Sequence, residues 1–136
     1  MKRRVTRAAK RLGVTLQAAH LPPGILGFYD REKAIVYFEI SLSPDERWSV
    51  VGHELGHVYY GHGCDNPKHE DQADAFAAWL LIDPERYALA ESVSTDVEYL
   101  ADELDVAEWV IVAFKKHVLQ RLGLRTYVRS PQHLVA

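Results

Sequence analysis

Two histidines and a glutamate stand at a spacing that can hold and use a metal ion. The segment His53-Glu54-Leu55-Gly56-His57 has the pattern H-E-x-x-H. On an α-helix, positions four apart lie on one face, so both imidazoles can reach one ion. Glu54 follows the first ligand and lies beside the ion, where its carboxylate can take a proton from a bound water. We therefore predict His53 and His57 as metal ligands and Glu54 as the catalytic base.

A catalytic zinc usually has three protein ligands and a water, so this motif needs a third ligand. The extended pattern H-E-x-x-H-x-x-G-x-x-H requires a glycine and a histidine where this chain has Tyr60 and Gly63, which is a near miss. The alternative is a carboxylate from the following segment, where Glu70 and Asp74 are four residues apart. We favour Glu70 as the third ligand. Asp74 would then hydrogen-bond a ligand histidine and fix its tautomer.

Two glycines on the same segment support a functional interpretation of the motif. Gly52 and Gly56 lie within the predicted helix, and each costs up to about 1 kcal/mol relative to alanine. Because they are four residues apart, they form a smooth strip along which another segment can approach closely. If the histidines were ordinary core or solvated residues, nothing would explain why the helix contains two glycines that lower its stability.

Local signals around the motif predict the elements that position it. Ser43, Pro44 and Glu46 form a capped helix start, and Gly61 is a typical helix stop. The predicted elements are a helix at 2–12, a short strand at 14–17, a hairpin of 25–29 and 34–40, a helix from Pro44 to about Tyr60, a helix from Asn66-Pro67 to before Asp83-Pro84, a short helix after Pro84, and two helices capped by Thr95 with Glu98 and by Asp105 with Glu108, the last ending near Gly123. A small sheet followed mostly by helix is an α+β fold.

Length and composition limit the class of protein. The 136 residues are 48% hydrophobic and 26% charged, which excludes a disordered chain, a collagen-like repeat and a coiled coil. We expect one domain over 1–136, with a metal-site core at about 24–84 and C-terminal helices at 85–123. No apolar run could span a membrane, and no apolar segment follows the basic N-terminus as in a secretory signal. With Cys64 as the single cysteine, we expect a cytoplasmic protein.

Charge is distributed unevenly along the chain. The net charge is −3, yet residues 1–29 and 109–136 carry only basic charges and the middle carries the acidic ones. We expect the basic ends to lie near the acidic middle. Residues 97–118 resemble a helix–turn–helix, but their acidic residues have the wrong sign for phosphate. Their apolar residues are better explained as core-facing: Val97, Leu100, Ala101, Leu104, Trp109, Val110, Val112, Ala113 and Phe114. We therefore do not expect a nucleic-acid partner.

These residues together resemble the ImmA/IrrE family of metallopeptidases, a gluzincin-like group. The family pattern is a Gly-containing hairpin, here Gly27-Phe28-Tyr29, then H-E-L-G-H, then E-x-x-A followed by Asn or Asp and by x-F-A-x-x-L-L-x-P. The third stretch is EDQADAFAAWLLIDP at 70–84, in which Asp83 is an extra residue before the proline. The resemblance covers about residues 24–84. It implies helices around a small three-stranded antiparallel or mixed sheet, zinc ligands His53, His57 and Glu70, and Glu54 as general base and acid.

The resemblance also implies a substrate class. Family members cleave, or are thought to cleave, helix–turn–helix repressors and similar regulators, often in phages and mobile elements. We therefore expect a zinc endopeptidase acting on such a regulatory protein. The alternatives are a non-catalytic module that controls a repressor by contact, and a DNA-binding regulator. Manganese and iron accept the same ligands, so the ligand residues alone do not separate the three metals. Zinc is the metal that the family resemblance implies and that the expected geometry favours.

Several residues near the motif have roles that the sequence leaves open. An oxyanion donor is needed, and Tyr29, Tyr60, Tyr99 and His117 are candidates that the sequence does not rank. The strand at 35–40 is expected to offer its edge to an extended substrate. We interpret His62, Cys64 and His69 as members of a solvated loop between the ligand helices, and His20 and His133 as exposed. The oligomeric state is not indicated by any pattern.

Overall fold

The computed structural model describes residues 2–62, 66–122 and 125–128. Its elements in chain order are α1 (Lys2–Leu12), β1 (Thr15–Ala19), β2 (Gly27–Asp30), β3 (Ile35–Glu39), α2 (Pro44–Tyr60), α3 (Pro67–Leu81), α4 (Pro84–Glu91), α5 (Val97–Leu104), α6 (Glu108–Ala113), a π-helical segment (Phe114–Val118), β4 (Leu119–Leu122) and β5 (Arg125–Val128). This is the predicted α+β fold. Within the described ranges, no helix is both long and apolar enough to cross a membrane.

The first three strands form a mixed sheet in the order β1-β3-β2. β1 runs parallel to β3, with Thr15 paired to Ile35, and β2 runs antiparallel to β3, with Gly27 paired to Phe38. Val36 and Phe38 of β3 face the core on alternate positions. Because β3 is paired on both sides, the prediction that residues 35–40 offer a free edge is wrong. The edges of this sheet belong to β1 and β2.

The two helices that carry the predicted ligands have the predicted bounds. The Ser43 hydroxyl accepts a hydrogen bond from the Glu46 amide at 3.4 Å, and Gly61 ends α2 in the left-handed region at φ 67°. α3 begins in the same manner, with the Asn66 side chain accepting from the His69 amide at 2.9 Å. Capping groups and a preset proline φ are local, so these ends could be predicted from neighbouring residues.

α2 and α3 lie unusually close together because α2 presents glycine to α3. A Cβ on Gly56 would lie 2.7 Å from Cα and 2.9 Å from the carbonyl oxygen of Ala73. One turn earlier, a Cβ on Gly52 would meet Leu81 Cδ1 at 3.2 Å and Ala77 Cβ at 3.3 Å. The smooth strip predicted from these two glycines is therefore the surface on which α3 packs.

The C-terminal part departs from the prediction at its caps. α5 is capped by Asp96, whose side chain accepts from the Tyr99 amide at 3.0 Å, and not by Thr95. Asp105 ends α5 in the left-handed region at φ 57°, a conformation that Asp adopts more readily than most residues, so it does not cap the next helix. The residue before α6 is Ala107, which makes no side-chain cap.

The last predicted helix is also shorter than expected. Helical structure ends at Val118, and Leu119–Leu122 pairs antiparallel with Arg125–Val128. A glycine between two short runs of strand-forming residues is a hairpin signal as well as a helix stop. The prediction that the last helix continues to near Gly123 is therefore wrong. Most of the predicted core positions in this part are buried, but Val112 is 51% exposed and Ile111 is buried in its place.

α1 is amphipathic, with Val5 and Ala9 buried and the described basic side chains, from Arg3 to Arg11, exposed. None of these described α1 cations lies within 4.0 Å of a carboxylate. In this part of the chain, the basic N-terminal end makes no ion pair with the acidic middle.

Glu39 fastens the loop that leads into β2. Its carboxylate accepts from the Leu21 amide at 2.9 Å, the Ser41 amide at 2.9 Å and the Ser41 hydroxyl at 2.7 Å. The Ser41 hydroxyl, followed by these two amides, lowers the pKa of Glu39 to about 2. The ionised carboxylate is thus the form that holds the loop.

We expect Gly56→Ala to lower the free energy of unfolding by about 1–3 kcal/mol, because the added methyl group meets α3 backbone that cannot rotate away. Urea unfolding followed by circular dichroism measures this. Gly52→Ala is the matched control and should cost less, since a flexible Leu81 side chain is its nearest contact. Equal losses in the two variants would contradict the proposed backbone clash.

We expect Glu39→Gln to lower the thermal midpoint at pH 7, with the difference from wild type closing as the pH falls from about 4.5 to about 2. A depressed folded-state pKa contributes stability above the unfolded-state value of 4.5, and this is lost as the pH falls through about 2. Thermal melts across that range measure it. Glu32→Gln, in the exposed turn after β2, is the control and should track wild type. A gap that stays constant down to pH 3 would refute the linkage.

Candidate metal centre

Three of the predicted site residues converge at one point. Nε2 of His53 lies 3.1 Å from Nε2 of His57. Glu70 reaches both rings, with Oε2 2.8 Å from His53 Nε2 and Oε1 3.2 Å from His57 Nε2. One donor atom from each of these residues lies within 4.8 Å of the other two. The structure therefore brings together the three side chains predicted as ligands.

The convergence follows from the helices that carry these residues. The two histidines are four apart on α2, so their rings lie on the same face. Glu70 lies in the first turn of α3, three residues before Ala73, whose backbone rests against Gly56. The close helix contact thus sets the distance between the carboxylate and the two rings.

The donor set fits a zinc ion. Zinc binds imidazole nitrogen at about 2.0–2.1 Å, so two such nitrogens on a tetrahedral ion lie about 3.3 Å apart, close to the spacing here. The imidazoles are largely covered, with side-chain exposures of 18% for His53 and 12% for His57, whereas Glu70 is 42% exposed. Two histidines and one carboxylate leave a fourth position for water.

Asp74 supports the first histidine. Its Oδ1 lies 2.7 Å from Nδ1 of His53, so in the metal-binding form the ring donates to Asp74 from Nδ1 and keeps the lone pair of Nε2 for the ion. Burial lowers the pKa of His53, but the hydrogen bond and charge of Asp74, with the charges of Glu54 and Glu70, outweigh it and raise the pKa above its usual value. Asp74 thus occupies the position that the sequence predicted for it.

His62 supports the second histidine, which the sequence analysis missed. Its Nδ1 lies 2.9 Å from Nδ1 of His57, and its Nε2 lies 2.9 Å from Oε1 of Gln72. The left-handed turn at Gly61 reverses the chain and brings His62 back over α2. The prediction of a solvated loop is wrong for His62 and for His69, because His69 lies in α3 and stacks on the His62 ring with centroids 3.9 Å apart. His20 is exposed as predicted, whereas Cys64 and His133 lie outside the described residues.

Glu54 and the three converging residues line an open cleft of about 760 Å³ between α2 and β2. Gly27 lets the β2 backbone approach α2, because a Cβ there would lie 2.6 Å from Cγ1 of Val50 and 3.0 Å from Cγ of Glu54. Of the four candidate oxyanion donors, Tyr29 lines this cleft. Tyr60, Tyr99 and His117 do not line it.

The other cleft walls are apolar. Ile25, Leu26 and Phe28 are 44%, 49% and 51% exposed on the β2 side. Trp109 of α6 closes the far side and meets the His53 ring edge-to-face, with centroids 6.0 Å apart. An acidic floor with apolar walls suits a polypeptide backbone flanked by apolar side chains.

A mixed sheet, a helix with two histidines four apart, and a carboxylate from the next helix are features of a metallopeptidase. The Peptidase M78 family model, described as the IrrE N-terminal-like domain, matches residues 9–113. The chain belongs to this family, and its function is of the metallopeptidase type. No curated protein matches the chain.

We expect Glu70→Ala to lose most of the metal that wild type retains after zinc reconstitution and dialysis, because two imidazoles alone hold zinc weakly. Mass spectrometry of metal content measures this. Asp71→Ala, the neighbouring exposed carboxylate on α3, is the control and should keep the wild-type amount. Equal retention by Glu70→Ala and wild type would show that Glu70 is not a ligand.

Proposed function

We propose that this protein is a zinc-dependent endopeptidase that hydrolyses a peptide bond in a regulatory protein. The observation that carries the proposal is the convergence of His53, His57 and Glu70 beside Glu54, on the floor of a cleft open to solvent. The chemistry of the donor set favours zinc with a free position for water.

A zinc ion held by these three residues would lower the pKa of its water and polarise a peptide carbonyl. With such an ion bound, the Glu54 carboxylate would accept a proton from the attacking water and donate it to the leaving amine, so one side chain would serve as base and then as acid. Asp74 keeps His53 in the tautomer that presents Nε2. Tyr29 is our choice of oxyanion donor, because it is the one of the four candidates that lines the cleft.

The cleft favours a polypeptide in extended form. β2 is an edge of the sheet and lines the cleft, so its backbone can pair with a substrate strand laid along it. We therefore assign substrate pairing to Gly27–Asp30 in place of residues 35–40, which the sequence analysis favoured. The reason is that β3 pairs with a strand on each side, whereas β2 is an edge strand.

The substrate we propose is a helix–turn–helix repressor or similar regulator, of the kind found in phages and mobile elements. What supports this choice is the resemblance to the ImmA/IrrE family, whose IrrE N-terminal-like domain model matches residues 9–113. A cytoplasmic location would place the enzyme with such regulators. A module that binds the repressor without cutting it is the competing function, and the intact Glu54 favours the enzyme.

We expect Glu54→Gln to reduce peptide hydrolysis by about 10²- to 10⁴-fold while leaving zinc content and folding unchanged, because the amide cannot accept the proton. Cleavage is measured by mass spectrometry of fragments, using zinc-loaded protein and helix–turn–helix regulators encoded beside its gene. Glu98→Gln, on α5, is the control and should cleave like wild type. Complex formation without fragments, equal in wild type and Glu54→Gln, would favour the binding module instead.

A further inference from the structure

The two histidines of the centre have different supports. The Nδ1 of His53 faces a carboxylate, whereas the Nδ1 of His57 faces the imidazole of His62, which in turn contacts the side-chain amide of Gln72. The second support draws on two separate segments, because His62 follows the end of α2 and Gln72 lies on α3. It therefore ties the ligand ring of one helix to the body of the other.

The contacts from His57 through His62 to Gln72 indicate which ring nitrogens donate and which accept. Oε1 of Gln72 is an acceptor, so His62 carries its proton on Nε2 and leaves Nδ1 as an acceptor. In the metal-binding form His57 then donates from Nδ1 to His62, and its Nε2 offers a lone pair on the side where Glu70 and His53 lie. The reverse direction would place a proton on Nε2 of His57 and prevent it from binding a metal.

His62 is itself held firmly in place. Its amide donates to the His57 carbonyl at 3.1 Å, and its own carbonyl accepts from the Arg31 guanidinium at 2.7 Å. Its ring stacks nearly parallel on His69, with 9° between the planes. The ring therefore has little freedom to leave His57.

The position of His62 excludes it as a ligand to the same ion. The two nitrogens of an imidazole lie on opposite sides of the ring, and His62 contacts the Nδ1 side of His57. The three converging donors lie on the Nε2 side. Any effect of His62 on the metal must therefore pass through His57.

We propose that His62, oriented by Gln72, is a positioning residue that fixes the tautomer and ring orientation of His57 for metal binding. This inference rests on the proposed ligand role of His57. Partners of this kind typically account for 10- to 100-fold in metal affinity. His62 contacts no reacting atom, so its effect should appear in binding of the metal alone.

The test measures zinc dissociation constants by competition with a chromophoric chelator. His62→Ala should weaken zinc binding by about 10- to 100-fold at unchanged stoichiometry. His62→Asn should recover most of the affinity, because its Oδ1 takes the place of the imidazole Nδ1 as acceptor. His20→Ala, which removes an exposed histidine elsewhere, should bind like wild type. Wild-type affinity in His62→Ala, or no recovery in His62→Asn, would overturn the proposal.

A double-mutant cycle tests the connection to Gln72. Gln72→Leu should weaken zinc binding less than His62→Ala does, and should have no further effect in the His62→Ala background, since it acts only through His62. Additive effects of the two substitutions would refute this connection. The cobalt absorption spectrum of His62→Asn should match that of wild type, and a changed coordination geometry would contradict a positioning role.

These readouts do not depend on peptide hydrolysis. If no substrate is cleaved but the affinity pattern is found, the peptidase proposal fails and the positioning role stands. If cleavage depends on Glu54 but His62→Ala binds zinc normally, the positioning role alone fails.

Discussion

The contact between α2 and α3 at Gly56 is the constraint on which the candidate metal centre depends. Backbone atoms of Ala73 occupy the space where a side chain at Gly56 would stand, 2.7 Å from its would-be Cβ. Glu70 and Asp74 flank Ala73 on α3, so the same approach brings one carboxylate to the Nε2 atoms and another to the Nδ1 atom of His53. A wider helix separation would remove both contacts at once. The two glycines therefore lower the local stability of α2, but they permit the close helix packing that brings the side chains of the candidate centre together.

The unequal support of the two histidines has a chemical consequence. Asp74 places a negative charge behind His53, which raises its basicity, whereas the chain from Gln72 through His62 orients His57 without adding a full charge. Glu54, Glu70 and Asp74 already surround two rings with three carboxylates. A further carboxylate behind His57 would raise the cost of a deprotonated, unmetallated site. An imidazole partner fixes the ring without adding a fourth carboxylate.

The sheet contributes the opposite wall of the cleft, and its position also depends on one missing side chain. Gly27 allows β2 to lie against Val50 and Glu54 of α2, which puts an unpaired strand edge beside the centre. The loop before β2 is attached to β3 by the hydrogen bond from the Leu21 amide to the Glu39 carboxylate, and residues 24–26 of the same loop line the cleft.

Local signals were enough to predict where α2 and α3 begin and, to within a residue or two, where they end, because proline, side-chain caps and a left-handed glycine act within a few positions. They were also enough to name His53, His57, Glu70 and Asp74, since helical spacing places each pair on one face. Spacing could not reveal His62, because its role arises from the reversal at Gly61 and from Gln72 on another helix. Neither could it show that β3 is central, since strand order depends on non-local pairing. The residue types and spacing of the candidate centre could therefore be recognised from the sequence. The hydrogen-bond partners of each side chain and the free edge of β2 beside the centre depend on how the helices and strands pack, so only the tertiary structure decided them.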